Sequence, residues 1–288
     1  MTNFLDLRLQ SVGGELSASV ATCQGTSITN YTGLLMKDLL AAIRGRHVLI
    51  ATHGFNVNRA DGVACLSNWD SILQLPQASA FLGLLWPGDS IWAHGLDYPA
   101  EPKVADRAGA LLAPFIDANF QNAASVSFVS HSLGARVVLG TIAALKRPVR
   151  RLTLMAGAID DDCLTTEFAS ATAKVETISV LASRKDTVLS QLFPIGNFVA
   201  GILDAGHPWW HAAIGHLGPQ QPWPANFRPP FEIPDLWGFN HGDYLCVTRP
   251  PAPALAIPTE VPPQGTAEPT VGGWHEAFSS AFESTRFR

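Results

Sequence analysis

The sequence predicts an α/β protein with a mainly parallel central sheet flanked by helices and an antiparallel pair of strands at its N-terminal edge. Three observations predict it. Short apolar runs alternate with helix-period segments from Met36 to Leu181, which implies crossover connections between parallel strands. Hydrophobic residues make up 47% of the chain against 15% charged, enough to bury a sheet on both faces. The apolar run Val126 to Val129 breaks at small residues and resumes as a helical pattern, with Val138, Leu139, Ile142 and Leu145 on one face.

The elements follow in order. Leu5, Leu7 and Leu9 alternate with Asp6, Arg8 and Gln10, the pattern of a half-exposed first strand. Gly13-Gly14 predicts a hairpin into Leu16 to Ala21. Met36, Leu39, Leu40 and Ile43 mark one helical face that stops at Gly45. His47 to Ala51 is a strand, and a helix is expected from about Ala60 to Leu75. Phe81 to Leu85 is a buried strand ended by Trp86-Pro87-Gly88, with a loop through Trp92 and Tyr98 behind it. Ala108, Leu111, Leu112 and Phe115 mark a helix that Pro114 can kink. Arg150 to Ala156 and Val175 to Leu181 are strands, joined by a helical connector over Thr165 to Ala173. Phe231 to Leu236 is expected as a final strand.

Leu189 to Asn240 is longer than a simple crossover and rich in aromatics, among them Phe193, Phe198, Trp209, Trp210, Trp223, Phe227 and Trp237. It suits a lid or pocket wall, or a helix and Pro-braced loop packed on the core, and the second fits better because aromatics are usually core. Beyond Arg249 the chain turns rich in Pro, Ala and Thr up to Gly273, which reads as an extended strap, and Trp274 to Phe287 suits a short docked segment. The organisation expected is one domain over 1–248, carrying the 189–240 insertion, and a tail over 249–288.

Composition excludes several classes. A net charge of −5 without clustered Lys and Arg does not suit a nucleic-acid surface. No apolar run is long enough for stable membrane insertion, and Met1 to Asp6 is not the start of a signal peptide, so a cytoplasmic location is expected. Four scattered cysteines form neither a zinc pattern nor a disulfide framework. His207 and His211 stand four apart, but Pro208 argues against a regular helix there and no third ligand is evident, so no metal or other cofactor is expected.

The chemistry concentrates at strand ends. Ser130-His131-Ser132-Leu133-Gly134 places a serine on a strand–turn–helix apex with small residues two before and two after it. A hydroxyl there needs an imidazole to accept its proton and a carboxylate to orient that imidazole. Asp186 follows the Val175 strand and is the first candidate acid, although an N-cap for a helix at Thr187 explains it equally well; Asp160, Asp161 and Asp162 are alternatives. His241 follows the expected last strand and is the candidate base, giving the chain order Ser132, Asp186, His241. The oxyanion of acyl transfer needs two N–H donors. Leu133 supplies one, and Phe55 or Asn56 supplies the other from the loop His53-Gly54-Phe55-Asn56. Substrate would lie against His53, Gly54, His131 and Trp86.

These motifs resemble the α/β-hydrolases. More narrowly, His53-Gly54-Phe55-Asn56, Trp86-Pro87 and His131-Ser132-Leu133-Gly134 resemble a bacterial lipase- or esterase-like family catalogued as a domain of unknown function. The likeness spans roughly Gly45 to Tyr244, and Ser130 departs from the Gly usual at that position. It implies an α/β-hydrolase fold with Ser132 as nucleophile, Asp186 as acid and His241 as base. The activity so expected is cleavage of small-molecule carboxylic esters through an acyl-enzyme. The same groups would serve a thioesterase or amidase, and a catalytically silent binding protein on this fold is the other class. Oligomeric state is not legible in the sequence.

Overall fold

The computed structural model describes residues 1–13, 15–73, 75, 77–89, 101–191, 193, 211–229, 231–235 and 238–244. Its strands are β1 (Thr2–Arg8), β2 (Leu16–Gly25), β3 (Thr32–Gly33), β4 (His47–Thr52), β5 (Ser79–Leu85), β6 (Ser125–His131), β7 (Val149–Met155) and β8 (Val175–Leu181). Its helices are α1 (Met36–Ile43), α2 (Arg59–Leu73), α3 (Glu101–Asn119), α4 (Gly134–Ala144), α5 (Ala169–Thr172) and α6 (Ile214–Leu217). The strands form one sheet in the order β3-β2-β1-β5-β4-β6-β7-β8. All pairs from β1 to β8 along that order are parallel, and only β2 and β3 run against their neighbours. The fold is the α/β-hydrolase arrangement the sequence predicts.

Central strands buried on both faces read as near-continuous apolar runs. Val48 to Ala51, Leu82 to Leu85 and Val126 to Val129 all lie inside. α4 buries Ala135, Val137, Val138, Leu139 and Ile142 against the sheet side of the core. Among the described residues no helix is long and apolar enough to cross a membrane.

Register brings the chemistry together. Thr52 pairs with Ser130 and with Leu84, and Ser130 pairs with Leu154. The residues just beyond, His53, Trp86 and His131-Ser132, therefore emerge side by side at the carboxyl ends of parallel strands, where sites of such sheets lie.

Three expectations need correction. β1 is not half-exposed: Asp6 and Arg8 are buried with their apolar neighbours, because Arg8 finds partners from distant loops. Of the expected strand Phe231 to Leu236, the described residues 231–235 do not form a regular strand. Phe227 and Glu232 instead meet β8 and the residue after it through isolated bridges, to Ile178 and Ala182. Pro224 and Pro229 flank the first bridge and Pro234 follows the second, and a residue without an N–H cannot extend a ladder. The Thr165 to Ala173 connector is helical only over α5, with turns before it. Phe198, His207, Pro208, Trp209, Trp210, Leu236 and Trp237 lie outside the described residues, as do Trp92 and Tyr98 and the tail over 249–288.

Candidate active site

Ser132 sits at the junction of β6 and α4 with φ 53°, a left-handed conformation rare for a residue with a side chain. Its backbone N–H donates to the Met155 carbonyl at 3.0 Å, and its carbonyl accepts from the Ala135 N–H at 3.1 Å as the helix begins. Strand end and helix start together hold the strained turn. Leu133 follows in helical geometry, so its N–H is one of the unpaired donors a helix N-terminus presents.

Two glycines let the loop after β4 lie against this turn. A Cβ on Gly54 would stand 2.6 Å from the Ser132 Cβ, and one on Gly134 would stand 2.4 Å from the His53 carbonyl oxygen. Neither position tolerates a side chain without moving backbone. Ser130, where Gly is more usual, is fully buried, and its hydroxyl finds no hydrogen-bond partner among the described residues. The turn forms regardless, since Ser132 keeps its left-handed angle.

His241 begins a short 3-10 turn, His241–Tyr244. Its Nε2 lies 2.9 Å from Ser132 Oγ, and its Nδ1 lies 2.7 Å from Asp186 Oδ2. Asp186 is fully buried, and its second oxygen accepts the Leu189 N–H at 2.9 Å. The carboxylate thus caps the helical turn after it and touches the imidazole at once. Of the alternative acids, Asp161 and Asp162 face His211 at 2.9 and 3.7 Å, and Asp160 bridges to Ala213.

The loop carrying Asp186 is anchored from several sides. Ser183 donates its hydroxyl to the Phe239 carbonyl at 2.5 Å and its N–H to the Gly215 carbonyl at 2.9 Å. His216 Nδ1 meets the Ser183 carbonyl at 3.2 Å. No local pattern gives Ser183 or His216 this role; the contacts to Phe239 and between the two residues mark them.

The residues expected to meet substrate are placed differently. His53 is fully buried and stacked on Trp86, with ring centroids 5.9 Å apart. Its Nδ1–H donates to the Gly54 carbonyl at 2.9 Å, its carbonyl accepts from the Trp86 indole N–H at 2.9 Å, and its Nε2 lies 3.4 Å from the Trp86 backbone N. Burial, opposed by that bond to Gly54, pushes its pKa down to about 3. His53 and Trp86 therefore brace the loop from beneath. His131 is buried too, and its Nε2–H donates to the His241 carbonyl at 2.8 Å. Burial, with the nearby His241, holds it well below the usual imidazole range. It steadies the backbone of residue 241 in its neutral form.

Asn56, left-handed at φ 58°, gives its N–H to the Gly88 carbonyl at 2.7 Å. Behind the loop, Arg8 forms a buried ion pair with Asp89 and donates to the carbonyls of Val57 and Trp86 at 3.0 and 2.9 Å. Asp89 in turn accepts the Gly13 N–H at 3.0 Å. The N-terminal hairpin thus ties down both loops at the sheet's carboxyl end, a contact no local pattern announces.

Asp161, Asp162 and His211 bring one ligand atom each within 4.8 Å of one another. Both imidazole nitrogens already face the two carboxylates, which makes the cluster an ion pair in its own right.

A family model described as "Alpha/beta hydrolase of unknown function (DUF900)" matches residues 32–195, a span that includes Ser132 and Asp186 and stops before His241. No curated protein matches the chain. Among solved structures, "Crystal structure of esterase PE8" is 15% identical, covers 85% of this chain and 96% of its own, and has a TM-score of 0.42. A structure titled for LipS and LipT, two metagenome-derived lipolytic enzymes, is 11% identical, covers 72% and 92%, and has a TM-score of 0.36. A prolyl endopeptidase structure is 13% identical, covers 75% of this chain and 34% of its own, and has a TM-score of 0.32. Likenesses this distant say nothing about what the chain acts on.

Proposed function

The chain belongs to the alpha/beta hydrolase family of unknown function whose model spans residues 32–195, and from that membership we propose that it is a serine hydrolase cleaving carboxylic esters. One observation carries the reading: hydroxyl, imidazole and buried carboxylate stand in unbroken contact, at 2.9 Å from Ser132 Oγ to His241 and 2.7 Å from His241 to Asp186.

Ser132 Oγ gives its proton to His241 Nε2 as it attacks the acyl carbon. His241 Nδ1–H donates to Asp186, which holds the tautomer and stabilises the imidazolium. The carbonyl oxygen becomes an oxyanion and accepts from the Leu133 N–H and from a second backbone N–H of the loop His53-Gly54-Phe55-Asn56. The C–O bond to the alcohol breaks, the alkoxide takes the proton from His241, and an acyl-Ser132 ester remains. Water then gives a proton to His241 and attacks that ester, and Ser132 leaves with the proton returned. No cofactor enters these steps.

A fluorophosphonate probe tests the proposal. It labels the wild type, and Ser132→Ala, with an unchanged melt, is unlabelled and turns over p-nitrophenyl butyrate at least about 10³-fold more slowly. Folded wild type that is neither labelled nor active on esters, thioesters or amides would falsify the proposal and leave a binding role. A panel that varies the leaving atom and acyl length sorts ester from thioester and amide.

A further inference from the structure

We propose that Asn240 is a positioning residue that locks the acid loop to the base turn through its amide oxygen. The kinetic part of this inference rests on the serine-hydrolase reading above; the structural part does not. Asp186 and His241 lie 55 residues apart in the chain, so something must hold their loops in register. Asn240 Oδ1 accepts the Thr187 N–H at 3.0 Å, the Thr187 hydroxyl at 3.1 Å and the His241 N–H at 2.8 Å. Thr187 follows the acid directly, and His241 is the base itself.

An ordinary N-cap side chain accepts from the second or third N–H of its own turn. Here two of the three donors belong to another loop, and the third is the first residue of the turn. The Asn240 backbone is fixed to suit: its N–H donates to Asp243 Oδ2 at 2.7 Å, and its carbonyl accepts the Asp243 N–H at 3.0 Å. On the far side, the His241 carbonyl accepts from His131. Residue 241 is therefore held at both its N–H and its carbonyl while its ring spans Asp186 and Ser132. Small misplacements of such a ring are costly, because proton transfer needs hydrogen-bond distance in the reacting complex.

Asn240 and Thr187 are both exposed, so their loss opens no part of the core. Asn240→Ala is expected to melt near the wild-type temperature, to lose kcat about tenfold with KM within twofold, and to exchange its His241 Nδ1 proton with water faster in NMR. Asn240→Asp, which keeps an acceptor oxygen, recovers most of the loss, and Thr187→Val, which keeps the backbone N–H, falls between. Unchanged kcat and unchanged proton exchange in Asn240→Ala overturn the clamp. If wild type proves inactive and unlabelled, the hydrolase reading falls, and the exchange rate still decides whether Asn240 fixes the imidazole. A variant that merely unfolds earlier, with normal kcat and exchange at low temperature, also overturns it.

Discussion

Ser132 is held in a left-handed turn, with the loop of residues 53–56 pressed against it. Gly54 is where that contact is tightest: a Cβ there would stand 2.6 Å from the Ser132 Cβ, 3.1 Å from His131 Nδ1 and 3.2 Å from Ser132 Oγ. The first of these atoms is fixed to the strained backbone and cannot rotate away. Gly54→Ala must therefore push the loop outward, costing about 1–3 kcal/mol of stability by overpacking. It would also move whatever the loop holds against Ser132, and a shift of about 1 Å near reacting groups costs roughly 100-fold in rate. Calorimetry and turnover measured together check this; wild-type turnover in a folded Gly54→Ala protein would show that the loop's position is immaterial. At this scale the sequence was informative where spacing carried the signal. Ser132 and Asp186 follow strands that form, β6 and β8, whereas His241 is singled out by chain order alone, since the strand expected before it is not a regular one. The bond from the Asn56 N–H to Gly88 is not legible in the sequence, because Gly88 lies on another loop.

The segment 211–220 shows the same limit at the scale of an element. It lies across the loop after β7: Asp161 gives its N–H to the Ala212 carbonyl and accepts from Gln220, while Ile214 and Gly215 donate to Ile159 and Gly157. Gly215 and His216 also hold Ser183, so this strap links the loop after β7 to the loop carrying Asp186. The sequence offered His211 as half of an unsupported metal pair and Asp161 as an alternative acid. Their pairing across 50 residues was invisible, since no periodicity connects an aromatic-rich insertion to a run of aspartates. Burial lowers the His211 pKa, but its bond to Asp161 and the charges of Asp162 and Asp160 outweigh this and raise it above the ordinary 6.5. A raised imidazole stabilises the fold while it stays protonated. The contribution is complete below about 6.5 and fades as pH rises through the folded value. His211→Gln should therefore lower the melting temperature at pH 5.5 and leave it nearly unchanged at pH 9. An equal loss at both values would mean that packing, not charge, joins the strap to the loop.

Taken whole, the molecule is a sheet with a mostly apolar interior and a few polar groups sealed inside its carboxyl edge. The alternation of strand and helix made the sheet legible in advance. What alternation misled was β1, because a strand carrying Asp6 and Arg8 reads as half-exposed until Val57, Trp86 and Asp89 are seen to satisfy the guanidinium. The sealed histidines have a consequence for the fold's response to acid. His53 is neutral inside, with a pKa near 3, while in the unfolded chain the same imidazole titrates near 6.5. Below 6.5 the unfolded state binds a proton that the folded state refuses, so stability falls with pH until about 3, where both forms are protonated. His131, also pushed down by burial, acts in the same direction. Between pH 7 and pH 5 the His53 contribution alone amounts to about 2 kcal/mol. His211 opposes it, since protonation there favours the folded chain. The expected net result is a lower urea midpoint at pH 5 than at pH 7, with a smaller drop in His53→Gln, whose side chain cannot titrate. A midpoint that holds steady or rises over that interval in His211→Gln, where the opposing group is gone, would mean that acid can reach and protonate His53 without unfolding the chain, and that the loop it braces opens in the native state.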